Sequence, residues 1–208
     1  MKPIKGLYAV TPDLADTSLL MARAESVLGA GARLLQYRNK IVNGAARYGQ
    51  AEALRDLCRR YRATFIINDD VELAHLLDAD GVHVGADDAA VGVARARLGG
   101  GKILGASCYA DLQRAHAARA AGADYIAFGS FFASSVKPHA VRAPLSLLPA
   151  ARALGLPVVA IGGITLANAG ELITAGVDAV AVISAVFAAP DIGVATQEFC
   201  RMFQAVAT

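Results

Sequence analysis

The sequence predicts an α/β protein, a single (β/α)₈ TIM barrel spanning residues 1–208. Short apolar runs alternate with longer amphipathic or alanine-rich segments, which is typical of repeated βα units. Several of the short runs are apolar on both faces, as strands of a parallel sheet covered by helices are. A chain of 208 residues also suits one barrel better than two domains with separate cores.

Eight short segments are predicted to be the strands of this barrel. In chain order they are residues 7–10, 34–37, 64–67, 81–84, 103–106, 125–128, 158–161 and 179–183. The clearest of the intervening helices is predicted over residues 45–61, where Leu54, Leu57, Cys58 and Tyr61 form one apolar stripe.

A weak internal repeat supports the count of strands. Residues 121–126 read Ala-Gly-Ala-Asp-Tyr-Ile, residues 175–180 read Ala-Gly-Val-Asp-Ala-Val, and residues 29–34 are a looser copy. In each copy we expect the glycine to end a helix in the left-handed conformation, with a strand beginning at once. The one longer strand-to-helix segment, residues 129–144, is a candidate active-site loop.

Composition excludes several classes of function. Hydrophobic residues make up 55% of the chain, and the net charge of +2 is not gathered in a basic block, so we expect no nucleic-acid partner. No apolar run approaches the roughly 20 residues of a membrane span, and the N-terminus lacks a secretory signal. Cys58, Cys108 and Cys200 have neither zinc-site nor disulfide spacing. We therefore expect a cytoplasmic protein with reduced thiols that binds small molecules, and the sequence leaves a homodimer open.

Polar residues follow most of the predicted strands, where barrel enzymes carry their active sites. In strand order they are Gln36, Arg38 and Lys40; Asn68 and Asp69; Asp87 and Asp88; Ser107; Ser130, Ser134, Ser135 and Lys137; Thr165; and Ser184. Because residues two apart in an extended chain point the same way, Gln36, Arg38 and Lys40 are expected to share one face.

Two of these groups suggest how a phosphorylated ligand is bound. Asp69 and Asp88 follow different strands and are expected to share a hard cation such as Mg²⁺, although each also suits the cap of the next helix. The Gly162-Gly163 pair after the seventh strand suits a phosphate cradle, and equally a plain tight turn. An alternative interpretation is that Lys40 and Lys137 are solvated lysines on the surface.

The histidines and cysteines give weaker signals. His83 lies inside the fourth predicted strand and is more typical of a packed residue than of a catalytic one. Cys108 lies beside Ser107, but no base that would activate a thiol is evident. We assign no role to any histidine or cysteine.

Several motifs together resemble the thiamine phosphate synthase family, and the resemblance covers nearly the whole chain. They are Leu7-Tyr8-Ala9-Val10-Thr11; Gln36-Tyr37-Arg38-Asn39-Lys40; Ile67-Asn68-Asp69; Ala79-Asp80-Gly81-Val82-His83-Val84-Gly85; Gly105-Ala106-Ser107; Ala123-Asp124-Tyr125 with Gly129; and Ile161-Gly162-Gly163-Ile164. Their common order makes the set far more specific than any single motif.

The resemblance implies a reaction that joins hydroxymethylpyrimidine diphosphate to hydroxyethylthiazole phosphate and releases pyrophosphate. It implies Mg²⁺ at Asp69 and Asp88, and catalytic roles for Arg38, Lys40, Lys137 and Ser107. Gln36, Arg38, Lys40 and Asn68 would hold the pyrimidine diphosphate, and Gly163, Ile183 and Ser184, with the loop of Ser134, Ser135 and Val136, would receive the thiazole phosphate. Tyr37 and Asn39 are also implied as substrate-binding residues.

The chain departs from the family pattern at three positions. Ala86 stands where the family usually has glutamine, Ala133 replaces a usual proline, and Val136 lacks the hydroxyl of the family's Thr-x-Thr-Lys loop. These changes bear on the thiazole-phosphate contact rather than on the metal and pyrophosphate site.

Three other functions are alternatives to thiamine phosphate synthesis for this sequence. A thiazole tautomerase shares the barrel, but its diphosphate and metal residues are eroded and a histidine follows its sixth strand, where this chain has Ser130. A non-catalytic sensor of thiamine precursors would keep the phosphate cradle without turnover. A sugar-phosphate isomerase would need a base aimed at a carbon acid, and none is identified.

Overall fold

Eight parallel strands close into a barrel in a computed structural model that describes residues 3–85, 90–133 and 142–205. The strands are Gly6–Val10 (β1), Leu34–Tyr37 (β2), Thr64–Asn68 (β3), Gly81–Val84 (β4), Ile103–Tyr109 (β5), Tyr125–Phe128 (β6), Val158–Ile161 (β7) and Ala179–Val182 (β8). Each strand pairs with its sequence neighbour, and the pairing of Gly6 with Ala179 closes the sheet. The predicted fold class is confirmed.

Helices follow the strands and cover the outside of the barrel. They are Thr17–Gly29 (α1), Gly44–Arg60 (α2), Val71–Leu76 (α3), Val91–Leu98 (α4), Leu112–Ala120 (α5), Leu148–Arg152 (α6), Ala169–Thr174 (α7), Ser184–Phe187 (α8) and Ile192–Ala205 (α9), with a 3₁₀ turn at Leu145–Leu147. Across the described ranges, no helix combines the length and apolar character needed to span a membrane.

All eight predicted strands are present, and their ends differ by at most three residues. The largest difference is β5, which continues past the predicted end at residue 106 to Tyr109. Its pairing with β6 shifts register between Ser107 and Tyr109. The strand continues through Ser107, Cys108 and Tyr109, which the apolar pattern alone does not predict.

Side chains of the strands alternate between two hydrophobic cores. Outward-facing residues such as Leu35, Phe65 and Val82 pack beneath the helices. Inward-facing residues fill the barrel, and they include Tyr8, Leu34, Ile66, Ile103, Tyr125, Val159 and Ala179. The interior is therefore packed, and a cavity opens where polar inward-facing residues such as Gln36 and His83 lie near the carboxyl ends of the strands.

Three aspartates fasten the amino ends of the strands at the opposite end of the barrel. Each carboxylate accepts a hydrogen bond from a backbone N–H of the preceding strand: Asp80 from Phe65 at 2.9 Å, Asp124 from Leu104 at 2.7 Å, and Asp178 from Val158 at 2.7 Å. This explains the two clearer copies of the internal repeat. In each copy the glycine, Gly122 or Gly176, has a positive φ after the end of a helix. The aspartate two residues later, Asp124 or Asp178, then accepts the hydrogen bond from the preceding strand.

Replacing Asp178 by alanine is expected to lower the free energy of unfolding by about 2 kcal/mol, because a part-buried backbone N–H loses a charged acceptor. Urea unfolding followed by circular dichroism measures the change. Asp178→Asn keeps an acceptor oxygen and should recover part of the loss, and Glu198→Ala removes the same charge from an exposed position of α9. Equal stabilities of Asp178→Ala and Glu198→Ala would contradict this role.

Candidate active site

A cavity of about 630 Å³ opens at the carboxyl ends of the strands. Its volume lies in the usual range for small-molecule sites. The deeper wall is mostly apolar and includes Tyr8, Val10, Ala127, Val159, Ile161 and Ala181. The rim is polar and includes Arg38, Lys40, Asn68, Asp69, Thr165 and Ser184. The cavity therefore suits a ligand with a flat apolar part and a charged part.

A chain of hydrogen bonds crosses the floor of the cavity. The Gln36 Nε2 donates to the Tyr8 hydroxyl at 2.8 Å, and the hydroxyls of Tyr8 and Tyr125 lie 2.9 Å apart. His83 Nδ1 lies 2.9 Å from the Tyr125 hydroxyl, and its Nε2 lies 2.9 Å from Ser107 Oγ. Five side chains from five different strands are thereby connected, and we call them the floor network.

Gly105 makes room for this network. A Cβ built at Gly105 would lie 2.0 Å from the Tyr125 ring, so only glycine lets that ring reach Tyr8 and His83. Burial raises the pKa of the Tyr8 and Tyr125 hydroxyls above the usual value, so both phenols stay protonated at neutral pH.

The basic part of the rim is held by the segment that follows β1. Asp13 accepts from the Arg38 guanidinium with both carboxylate oxygens at 3.0 Å and from the Lys40 backbone N–H at 2.7 Å. The Thr11 hydroxyl bonds both to the backbone N–H and to the carbonyl of Arg38, each at 2.8 Å. These bonds fix the segment that carries both cations before any ligand is present.

Asp69 forms the acidic part of the rim. It follows β3 with a φ of 66°, and its carboxylate lies 4.0 Å from Lys40 Nζ. The N-cap of α3 is Asp70, whose carboxylate accepts from Leu73 N. The capping alternative for Asp69 is therefore wrong, because the next residue has that role and the Asp69 side chain lines the cavity.

The described ranges contain no cluster of three or more His, Cys, Asp or Glu side chains suited to hold a metal ion. Mg²⁺ commonly binds through one or two carboxylates together with substrate phosphates and water. The oxygen donors of Asn68 and Asp69 at the rim fit that mode of binding rather than an all-protein cage. Asp88, the other predicted ligand, lies outside the described residues.

The diglycine loop after β7 is packed against the segment that follows β6. Gly162 and Gly163 have φ values of 101° and 65°. A Cβ at Gly163 would lie 2.2 Å from the Ala133 carbonyl oxygen. Asn168 accepts from Thr165 N at 2.8 Å and donates to the Gly163 carbonyl at 3.0 Å. These contacts hold the loop in one conformation, and its backbone lines the cavity. A plain tight turn would not need this packing, so the arrangement favours the phosphate cradle.

Most predicted site residues within the described ranges do meet at this cavity. Those that line it are Gln36, Arg38, Lys40, Asn68, Asp69, Ser107, Gly163, Ile183 and Ser184. The predicted residues Asp88, Ser134, Ser135, Val136 and Lys137 lie outside the described residues, as does Ala86.

Tyr37 and Asn39 do not fit the predicted substrate contact, because their side chains alternate with the cavity-facing ones and point towards α2. Tyr37 donates its hydroxyl to Gln50 Oε1 at 3.0 Å, and Asn39 donates to Gln50 and to the Leu14 carbonyl. Both are buried beneath the helices. They hold the β2 end in place.

Sequence reasoning missed several residues that shape the site. Tyr8, His83 and Tyr125 face inwards, and the alternation of their strands would have indicated this. His83 is packed, as expected, but it also lines the cavity and bonds to Ser107. The sequence held no signal for Asp13, since its partners Arg38 and Lys40 lie on another βα unit.

The position of Cys108 does not allow it to act as a nucleophile in the cavity. Its side chain faces the outer core, and burial raises the pKa of its thiol to about 12. A thiol is a nucleophile only as the thiolate, so burial makes Cys108 unreactive.

The comparisons with known proteins match nearly the whole chain. A family model described as thiamine monophosphate synthase matches residues 7–186. A thiamine-phosphate synthase of Methylobacillus flagellatus is 57% identical over 203 residues, which cover 98% of this chain and 97% of that protein. One of Chromobacterium violaceum is 52% identical over 202 residues, covering 97% and 98%. The solved structure of a thiamine phosphate pyrophosphorylase from Pyrococcus furiosus has a TM-score of 0.86 and 36% identity, covering 98% of this chain and 97% of that one.

A closed parallel barrel with polar groups gathered at the carboxyl ends of its strands defines an enzyme of the (β/α)₈ class. Within that class, the chain belongs to the thiamine monophosphate synthase family. The resemblance carried by its motifs is confirmed.

Cys108 is expected to resist alkylation by iodoacetamide in the folded protein at pH 8. With a pKa of about 12, only about one thiol in ten thousand is ionised at that pH. Mass spectrometry of tryptic peptides measures labelling before and after unfolding in urea, and the unfolded chain is the control. Rapid labelling of Cys108 in the folded protein would overturn this assignment.

Proposed function

We propose that the chain catalyses the Mg²⁺-dependent condensation of hydroxymethylpyrimidine diphosphate with hydroxyethylthiazole phosphate, giving thiamine phosphate and pyrophosphate. Family membership and the names of the relatives support this transferase activity. The observation that carries it is one cavity that joins an apolar, aromatic floor to a rim with two cations, a carboxylate and a diglycine loop.

The pyrimidine diphosphate matches both parts of this cavity. Its heteroaromatic ring suits the apolar floor, where Gln36 supplies a carboxamide. Its diphosphate suits the rim, where Arg38 offers planar paired donors and Lys40 a point charge. Asn68, also at the rim, has both a donor and an acceptor.

The reaction needs stabilisation of a leaving group rather than a protein nucleophile. The C–O bond to the diphosphate breaks and its electron pair leaves with pyrophosphate. The thiazole nitrogen lone pair then forms the C–N bond to the resulting pyrimidine cation. Arg38, Lys40 and Ser107, with Lys137 from the segment after β6, would donate to the departing oxygens. Such preorganised donors act strongly in a site that excludes water.

The proposed metal would be held by Asp69 and Asp88. When bound, Mg²⁺ supplies positive charge that offsets the developing charge on the pyrophosphate oxygens. The described carboxylate of Asp69 is held 4.0 Å from Lys40 Nζ, so metal and lysine would act on the same end of the ligand.

The thiazole phosphate is assigned to the side of the cavity formed by the loops after β7 and β8. Backbone N–H groups near Gly163, Ile183 and Ser184 would receive its phosphate. Ser134, Ser135 and Val136 would complete this region. Two phosphorylated substrates would thereby enter one cavity from different sides.

The residues at the rim favour the synthase over its rivals. A tautomerase acts on the thiazole phosphate alone and has no need of Asp69 or of the cations Arg38 and Lys40, all of which line this cavity. A sensor without turnover has no leaving group to stabilise and so has no need of the Ser107 hydroxyl, which lines the same cavity. We place the reaction in the cytoplasm, consistent with three free cysteines.

Replacing Asp69 by alanine is expected to lower kcat on the order of 100-fold, because one ligand of the proposed Mg²⁺ is lost. Pyrophosphate release from the two precursors, measured with and without a chelator, gives the rates. Asp56→Ala removes the same charge from an exposed position of α2 and should leave the rate unchanged. Chelator-insensitive turnover, or a near-normal rate in Asp69→Ala, would reject the metal role.

Asp13→Ala is expected to raise the KM for the pyrimidine diphosphate about tenfold, since Arg38 and the Lys40 backbone lose the acceptor that positions them. Steady-state kinetics at saturating thiazole phosphate give this value. Asp16→Ala removes a nearby carboxylate that only caps α1 and should leave KM unchanged. An unchanged KM in Asp13→Ala, with the fold intact, would argue against a diphosphate site at Arg38.

A further inference from the structure

We propose that His83 and Tyr125 are positioning residues that fix the direction of the hydrogen bonds in the floor network, so that the Ser107 hydroxyl hydrogen points into the cavity. The inference rests on the proposed function in one respect only, namely that the acceptor for this hydrogen is the leaving pyrophosphate.

The direction is set at the Gln36 end of the network. A carboxamide nitrogen has hydrogens and no acceptor site, so Gln36 Nε2 donates to the Tyr8 oxygen. Within the described residues, the side-chain partners of the Tyr8 hydroxyl are Gln36 and Tyr125. Among the described side chains, Tyr125 is the only one that can accept the Tyr8 hydrogen, so we infer that Tyr8 donates to the Tyr125 oxygen.

The same reasoning assigns the donor and the acceptor in the next two hydrogen bonds, at Tyr125 and His83. Tyr125 accepts from Tyr8, so its hydrogen goes to His83 Nδ1 at 2.9 Å. An Nδ1 that accepts is unprotonated, and the neutral imidazole then carries its hydrogen on Nε2. That Nε2 donates to Ser107 Oγ at 2.9 Å. Both phenols are buried and stay protonated, so each link keeps one hydrogen to pass on.

Ser107 is the end of this sequence of donors. Because its oxygen accepts from His83, its own hydrogen is available to an acceptor in the cavity that it lines. The opposite direction would have Ser107 donating to His83 and presenting lone pairs to the cavity. Lone pairs repel a phosphate oxygen, whereas a hydrogen binds it, so the direction of the network decides whether Ser107 assists the leaving group.

Packing holds Tyr125 and His83 in this arrangement. Tyr125 is 0% exposed, so it can reach a substrate only through its neighbours. Its ring stacks on His83 with centroids 5.5 Å apart and meets Tyr8 edge-on at 6.1 Å. The missing side chain of Gly105 provides the space for that ring.

The ¹⁵N NMR spectrum of His83 in the ligand-free protein tests the direction without any assay of activity. We expect an unprotonated Nδ1 and a protonated Nε2 at neutral pH. Tyr125→Phe should convert this single tautomer into a mixture. Tyr37→Phe removes an equally buried phenol that bonds to Gln50 beneath α2, and it should leave the His83 signals unchanged. A protonated Nδ1 in the unmodified protein would overturn the inference, whatever reaction the protein catalyses.

A double-mutant cycle tests whether Tyr125 acts through Ser107. Tyr125→Phe is expected to lower kcat about fivefold with little change in KM, which corresponds to one net hydrogen bond. In the Ser107→Ala background the same substitution should change kcat less than about twofold, because the effects of two substitutions in one hydrogen-bond network are not additive. Equal losses in both backgrounds would indicate a structural role and overturn the inference. A protein without synthase activity would refute the proposed function, and the tautomer of His83 would then decide the inference.

Discussion

The alternation of side chains along eight parallel strands is the constraint on which the rest of this structure depends. Every second residue of a strand points into the barrel, and closure of the sheet brings these residues to one axis. Near the carboxyl ends the inward positions are polar, so Gln36, His83 and Ser107 share one cavity although they lie far apart in the chain. The outward positions stay apolar and bind the helices.

A polar barrel interior has a thermodynamic cost that the floor network offsets. Hydroxyl and imidazole groups are costly to bury unless they are hydrogen-bonded. Every link from Gln36 to Ser107 is 2.8 or 2.9 Å long, so the buried groups are satisfied by one another. The same bonds that stabilise the interior also set the orientation of a hydroxyl at its surface, which links stability to the proposed chemistry.

The sequence predicted the barrel and the described part of its mouth well, because both follow from local patterns: apolar runs mark the strands, and polar residues mark their carboxyl ends. Local sequence patterns did not predict contacts between residues that are far apart in the chain. Tyr8 and Tyr125 are 117 positions apart, and nothing near either residue indicates the other. Tyr37 belongs to the same motif as Gln36 and Arg38, but alternate residues of a strand face opposite sides, and its side chain points beneath the helices instead of into the cavity. Adjacent aspartates also cannot be told apart by type, and only the backbone shows that Asp70 caps α3 while Asp69 lines the cavity.

The central claim is that the barrel mouth binds one diphosphate between its cations, a metal and Ser107. A crystal structure of the protein soaked with pyrophosphate and Mg²⁺ tests it most directly. We predict pyrophosphate beside Arg38 and Lys40, with Mg²⁺ on the Asp69 carboxylate and a phosphate oxygen within hydrogen-bonding distance of Ser107 Oγ. Pyrophosphate bound away from this mouth, or an Asp69 without metal beside bound pyrophosphate, would contradict the account.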